Sequence, residues 1–406
     1  MTQLCRHCAT PLSIRFLNLG FAPPSNAYLN PEDLQKPEVT YPLRLLACGQ
    51  CRLVQTEDYA ASDELFTDTY AYFSSTSKGW LDHAERYANM VTDRFALGPD
   101  SQVMEVASND GYLLKNFVAK GIPCVGIEPT KSTADAARAL GIPVVQEFFG
   151  TDLAPSLAEA DLIIGNNVYA HVPDINDFTA GLKTALKPGG VITLEFPHLM
   201  ELVEHRQFDT VYHEHFSYLS LLTVERIFKA AGLRIFDVEQ LPTHGGSLRI
   251  FGCQEAADHV QSAAVATVLA QEQARGMDED GFYQSFQSQA DAVKDDFLKF
   301  LLSAKAEGKS VAAYGAAAKG NTIMNYAGVR PDLIPYVCDA AAAKIGKLMP
   351  GSHIPIFAPA ELRARRPDYL VILPWNIAAE VKTQCADLAA LGTRFVTAVP
   401  KLTVNQ

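Results

Sequence analysis

The chain has 406 residues, 48% hydrophobic and 20% charged, which is enough apolar surface for two or three domains and excludes disorder over most of its length. Its 46 acidic and 34 basic side chains leave a formal charge of -12, so no broad basic surface is available for nucleic acid or anionic lipid. No apolar run approaches the roughly 20 residues that cross a bilayer, and Met1 to Thr10 lacks the basic start and apolar centre of a signal peptide; no membrane partner and a cytoplasmic location are expected.

Four of the eight cysteines stand in two tight pairs, Cys5-Arg6-His7-Cys8 and Cys48-Gly49-Gln50-Cys51. In a reducing compartment this spacing reads as metal rather than disulfide: two residues between thiolates let both sulfurs turn onto one ion. Cys5, Cys8, Cys48 and Cys51 are the expected ligands of a closed, structural zinc, while Cys124, Cys253, Cys338 and Cys385 read as core packing. His7 sits inside a knuckle, where simultaneous ligation with both neighbours is awkward, and is left out. Short apolar runs and several prolines up to about residue 60 suit a small unit of strands and turns.

A helix is expected over Leu81 to Phe95. From Gln102 onward short β-branched runs alternate with helical stretches, with strands at Val103–Val106, Cys124–Glu128, Asp161–Gly165 and Val191–Phe196. The alternation predicts a doubly wound parallel sheet, which binds ligands at the carboxyl ends of its strands. The first strand runs through Glu105 into Ala107-Ser108-Asn109-Asp110-Gly111, and the next ends at Glu128, seventeen positions beyond Gly111, where a carboxylate can accept both ribose hydroxyls. Two carboxylates facing one adenosine suit zwitterionic S-adenosylmethionine better than a dinucleotide. Ala107 and Asn109 stand where a more usual loop of this kind has glycine. Asn166 and His171 follow the next strand and would add an amide and an imidazole at the same rim.

The segment Tyr212-His213-Glu214-His215 packs a phenol, two imidazoles and a carboxylate into consecutive positions. Buried polar groups need partners, and histidine changes charge near neutrality, so proton transfer is the expected use. If the segment were extended, Tyr212 and Glu214 would share one face and the two histidines the other. A second metal site is the competing reading. A polar helical stretch over Ser262–Glu307 then leads to a second alternation, with strands at Ser310–Tyr314, Leu333–Cys338 and Tyr369–Leu373. There Gly315 to Thr322 (GAAAKGNT) offers backbone N–H groups and Lys319 to a phosphate, while Asp339 and Trp375 follow neighbouring strands. Use of that turn by a nicotinamide-dependent oxidoreductase or epimerase is the alternative enzyme class; a zinc-knuckle binding module is the non-catalytic one.

Taken together, the two cysteine knuckles, EVASNDG at 105–111, DTVYHEHFSY at 209–218, THGGSL at 243–248 and GAAAKGNT at 315–322 resemble the sugar C-methyltransferase family, which acts on nucleotide-linked 4-keto-deoxysugars. The resemblance runs nearly end to end. It implies an α/β protein in three parts: a small zinc-binding domain (1–60), a central Rossmann-like S-adenosylmethionine domain (61–242) and a C-terminal Rossmann-like α/β domain holding the nucleotide (243–406). It implies His215 as general base, with Tyr212, Glu214 and His171 beside it. The cofactor would be held by Glu105, Ala107, Asn109, Gly111, Glu128 and Asn166. Lys319, Asn321 and one of Tyr70 or Tyr72 would hold the sugar nucleotide, with methylation at C-3′ and a monomer as the acting form. A non-sugar keto substrate is the alternative within the same chemistry.

Overall fold

The structure, a computed structural model, describes residues 3–57, 73–76 and 78–405. Tyr70 and Tyr72 lie outside the described residues. The first strands, β1 (Ile14–Ala22), β2 (Tyr41–Ala47) and β3 (Val54–Thr56), form an antiparallel meander. Leu43, Leu45 and Ala47 alternate inward along β2, giving it one buried face. The cysteine pairs bracket this unit, one ahead of β1 and one in the turn between β2 and β3.

A central sheet follows, with β4 (Val103–Val106), β5 (Cys124–Ile127), β6 (Val144–Val145), β7 (Ala160–Asn166) and β8 (Leu186–Pro197) all parallel. Every residue of β4 is buried, as a strand covered on both faces requires. The next strand, β9 (Ser217–Tyr218), leaves this sheet and pairs with β3, Val54 opposite Tyr218 and Gln55 opposite Ser217. The hairpin of β10 (Leu233–Leu241) and β11 (Ser247–Gln254) then closes the central sheet in the order β10-β11-β8-β7-β4-β5-β6. Although β11 lies past position 242, it is an interior strand, because the Thr243–Gly246 turn returns the chain antiparallel between β10 and β8.

The polar stretch expected as one helical run is three helices, Ala263–Ala274, Asp280–Gln284 and Phe286–Ala306, interrupted where Gly276 takes φ 77°. The third sheet contains β12 (Val311–Tyr314), β13 (Val337–Cys338), β14 (Ile356–Phe357), β15 (Tyr369–Ile372), β16 (Arg394–Thr397) and the antiparallel β17 (Thr403–Asn405), ordered β14-β13-β12-β15-β16-β17. The fold is thus the expected α/β architecture, a Rossmann-like sheet on either side of a long helical connection. No described helix is long and apolar enough to cross a membrane.

Packing joins these parts. Phe16 of β1 stacks on Phe286 at 4.9 Å, both rings fully buried, so the meander shares its core with the third sheet's helices. Each such ring contributes about 1.5–3 kcal/mol of burial. In both parallel sheets the chain builds outward from its first strand and then crosses to the other side: β4, β5, β6, then β7; β12, β13, β14, then β15. At such a reversal the loops part to opposite faces and leave a crevice at the carboxyl ends of the strands. Topology alone therefore fixes one crevice between residues 107–111 and 166–171, and another between 315–318 and 374–376.

Candidate active site

The four cysteine sulfurs lie within 4.8 Å of one another. Cys5 Sγ is 3.4 Å from Cys51 Sγ and Cys8 Sγ is 3.5 Å from Cys48 Sγ, far beyond a disulfide bond and close to the roughly 3.8 Å edge of a tetrahedron with metal–sulfur bonds near 2.3 Å. Both knuckles have the same backbone: the residue after the second cysteine, Ala9 or Arg52, takes positive φ and donates its N–H to the first cysteine's carbonyl. Tetrahedral thiolates fit zinc, which these residues would hold with no open position. His7 points away and pairs with Asn176, in keeping with its exclusion as a ligand. The unit is bolted to the central domain: Thr223 and Arg226 donate to the Cys51 and Gln50 carbonyls, and Arg6 donates to the Pro173 carbonyl at 2.6 Å and lies over Phe216. Among the described residues no other group of histidines, cysteines and carboxylates is placed to hold a metal, so the second metal site considered for the histidine-rich segment is not formed there.

In the first crevice, Ala107, Asn109 and Gly111 take φ 58°, 50° and 78°. The backbone thus has the left-handed alternation of a glycine loop, although only the third position is glycine; each non-glycine residue there costs about 1–2 kcal/mol. The loop is held open by Glu128, whose carboxylate accepts from the N–H groups of Asn109 and Thr130, both at 3.0 Å. Asn109, Ala107, Glu128 and Asn166 line the cavity with Trp80 and Ile127. Glu105 and Gly111 do not line it. Glu105 is buried within β4, its carboxyl pushed well up by burial and by Glu128 and Asp110, and Gly111 is wedged against Ile142 and Ala137. The Oδ1 of Asn166 and both amide atoms of Asn167, which line the cavity, are buried without a hydrogen-bond partner among the described residues. Unsatisfied donors and acceptors beside an apolar wall suit an amphipathic, zwitterionic adenosyl ligand.

The histidine-rich segment is a turn rather than an extended strand, so the face-sharing of the extended case does not apply. His215 N–H donates to the Tyr212 carbonyl at 3.1 Å, closing the turn and bringing the two rings to 4.1 Å. His213 is thereby sent the other way, edge-on to Tyr41. The His171 ring meets His215 at 4.5 Å, and its Nδ1 donates to the Glu214 carbonyl at 2.8 Å. Burial drives His215 well below the ordinary imidazole range, with the neighbouring His171 and His244 adding to the effect and a backbone hydrogen bond to Thr210 opposing it. Burial likewise takes His171 down to about 4. Burial pushes the Glu214 carboxyl up, and its Oε1 accepts from Asn26 at 3.1 Å.

These groups meet the second crevice in one cavity of about 610 Å³. Lys319 and Lys344 reach it from the third sheet and Asn26 from the loop after β1. Asn321, expected to bind substrate, does not line it: buried, it donates to the Ser25 carbonyl at 2.7 Å, while Thr322 donates to the Val211 carbonyl at 2.8 Å. The GAAAKGNT helix start therefore ties the N-terminal loop and the histidine turn together, while its Ala317, Ala318 and Lys319 line the cavity. Asp339 is also internal, its two oxygens accepting from the Ala316 and Ala341 N–H groups. Sequence reasoning missed His244, which lines the cavity at φ 54° against Trp80 and is lowered to about 4 by burial and by Lys319. Its signal was the pair of glycines following it, at φ 95° and 120°, which mark a turn no ordinary pair of residues would adopt. Thr243 beside it donates to Glu195, whose carboxyl burial would raise but His83 and Arg249 hold low; Trp80 stacks on that same His83.

Three family models match in chain order: a zinc binding domain over 5–66, a methyltransferase domain over 80–238 and a C-methyltransferase C-terminal domain over 242–400. The chain is 32% identical over 401 residues to the C-methyltransferase NovU of Streptomyces niveus, covering 98% of this chain and 95% of that protein. Among solved structures, a 1,6-didemethyltoxoflavin-N1-methyltransferase of Burkholderia thailandensis with bound S-adenosylhomocysteine is 16% identical, covers 50% of this chain and 96% of its own, and has a TM-score of 0.38. The magnesium protoporphyrin IX methyltransferase of Synechocystis, also with bound S-adenosylhomocysteine, is 13% identical over 43% of this chain and 84% of its own, with a TM-score of 0.36. The chain belongs to the C-methyltransferase family that includes NovU and is an S-adenosylmethionine-dependent C-methyltransferase with a structural zinc site.

Proposed function

We propose that the substrate is a nucleotide-linked 4-keto-deoxysugar and that the methyl group goes to the carbon beside its ketone, C-3′. The observation that carries this reading is the shared cavity, where buried neutral imidazoles lie between an adenosyl crevice and a crevice with two lysines. A carbon acid beside a ketone needs a base that is uncharged at neutral pH and donors for the oxygen on which charge develops.

His215 is the base. The ring nitrogen hydrogen-bonded to the Thr210 carbonyl carries the proton, and the other, with its lone pair, removes the C-3′ proton as the C–H electron pair moves into the enolate. Tyr212, 4.1 Å from the His215 ring, orients it and offers a phenol to the sugar. His171, whose Nδ1–H is committed to the Glu214 carbonyl, keeps its ring orientation fixed beside the base. Glu214, anchored by Asn26, faces a sugar hydroxyl. Bound S-adenosylmethionine supplies the electrophilic methyl group that the enolate carbon takes; Glu128, Asn109 and Asn166 would hold it, the last through an amide oxygen that has no partner among the described residues. Lys319 and Lys344 attract the diphosphate. The four remaining cysteines, buried and free, support work in the reducing cytoplasm.

Incubation with methyl-labelled S-adenosylmethionine and a panel of nucleotide-linked keto sugars, read by NMR, tests the assignment. Label at C-3′ of a 4-keto-deoxysugar is expected. Transfer to a keto acid or other non-sugar ketone, with none of the sugars accepted, would refute it.

A further inference from the structure

Asp209 is a buried acid with no part in the chemistry above. It is 1% exposed and stands at the head of the histidine turn, with Thr210, which lines the cavity, next in sequence. Its Oδ2 accepts from the indole Nε1–H of Trp375 at 2.8 Å, across 166 positions of chain, while Oδ1 has no partner among the described residues. Trp375 follows β15 in the second crevice. The Lys319 ammonium lies 4.6 Å over its ring and donates to Asn376 Oδ1 at 2.9 Å. Carboxylate, indole and ammonium thus form a stack that runs from the base's own loop to the cation facing the cavity. The turn bearing His244 rests on the same indole: a β-carbon added at Gly245 would collide with Trp375, and Gln207, two positions before Asp209, donates to the Gly245 carbonyl at 2.7 Å.

Isolated buried carboxylates are costly, and this one is satisfied on one side only. The charge that compensates it is Lys319, the cation acting on it through the indole. Burial pushes the Asp209 carboxyl up to about 6 and Lys319 opposes the rise; burial lowers Lys319 and Asp209 opposes the fall. A lysine already held against an aromatic face by a fixed carboxylate meets an incoming anion with less ordering to do.

We infer that Asp209 and Trp375 are positioning residues that fix Lys319 for the anionic part of the substrate and join anion recognition to the loop carrying the base. This rests on the sugar-nucleotide reading, since it takes a diphosphate as the anion. Asp209 touches neither substrate nor cofactor; it acts through the indole and the lysine.

The test uses the zinc-loaded full chain and thymidine 5′-diphosphate as probe, by isothermal titration in the presence of S-adenosylhomocysteine. Asp209→Asn keeps the shape and an acceptor for the indole while removing the charge. It is expected to weaken diphosphate binding about tenfold and to raise KM about as much, with kcat within threefold and S-adenosylhomocysteine affinity unchanged. Trp375→Phe keeps a ring but no N–H and should shift binding in the same direction. In a Lys319→Met background, adding Asp209→Asn should change binding by less than twofold, because the group it acts through is gone. Tight binding to wild type that Asp209→Asn leaves intact, or losses that simply multiply in the double variant, would overturn the inference while leaving the sugar-nucleotide reading standing. Failure of the wild type to bind any nucleoside diphosphate would overturn both.

Discussion

Buried imidazoles make a quantitative demand on the pH dependence of methyl transfer. An imidazole titrating near 6.5 is about three-quarters protonated at pH 6, so a base of that kind would lose about fourfold in rate between pH 8 and pH 6. His171 is lowered to about 4 and His215 well below its ordinary range, both by burial first. At about 4, only about 1% of the His171 ring is protonated at pH 6, and burial moves His215 in the same direction, keeping the base uncharged across this range. The transfer step measured by rapid quench in a single turnover, with both substrates saturating, is therefore expected to be flat within about 10% over that interval. Saturation matters because Asp209, raised to about 6 by burial, titrates in the same range and would act on KM rather than on the step itself. His215→Gln at pH 8 should slow the step by about 10²–10⁴-fold, or about 2.7–5.4 kcal/mol of barrier, with S-adenosylhomocysteine affinity retained. A fourfold fall from pH 8 to pH 6 in the wild type would mean that the base is solvated and ordinary, and the account of a desolvated imidazole would fail.

Three further outcomes follow from the geometry. Gly111→Ala, at φ 78° with its new β-carbon 2.5 Å from Ile142 Cδ1 and 3.3 Å from Ala137 Cα, should cost roughly 2–4 kcal/mol and lower the melting temperature together with adenosyl affinity. Ala107→Gly, at φ 58° in the same loop, should instead be neutral to stabilising by about 1 kcal/mol, as relief of the left-handed cost exceeds the added chain entropy; a melting temperature lowered by several degrees would contradict the loop geometry. Removal of zinc with a strong chelator should abolish methyl transfer before it abolishes S-adenosylhomocysteine binding, because β9 next to the base is paired to the zinc unit while the adenosyl crevice is built on β4 and β7; loss of both in parallel, followed by calorimetry and metal analysis, would argue against that division.

Much of the site was readable locally, since the chemistry is written in short segments. The cysteine knuckles, the β4 loop and the 212–215 cluster each carry their residues within a few positions; the four sulfurs converge, and the loop and the cluster meet at one cavity. What local reading could not supply is orientation. Whether Asn321 or Lys319 faces the cavity depends on how the helix start packs against Ser25, nearly three hundred positions away. Glu105, expected among the cofactor's residues, is 1% exposed within β4 and does not line the cavity. The histidine cluster has no periodicity that separates a turn from a strand, and only the hydrogen bond from His215 N–H to the Tyr212 carbonyl decides which ring meets which. Ala107 and Asn109 concealed a glycine-loop backbone because propensity disfavours it; the buried Glu128 carboxylate, bonded to the Asn109 N–H, helps hold that conformation.

The pairing of β9 with β3 has a consequence for how the molecule comes into being. On the ribosome the metal knuckles emerge well before β9, and the edge of β3 must then wait for Ser217 and Tyr218, some 160 positions later, to cover it. Until then a bare strand edge is open to any neighbouring nascent chain. Zinc captured early would keep the waiting edge in shape, so a metal-starved cell would lose this enzyme first to aggregation during synthesis, before any finished copy failed at its reaction.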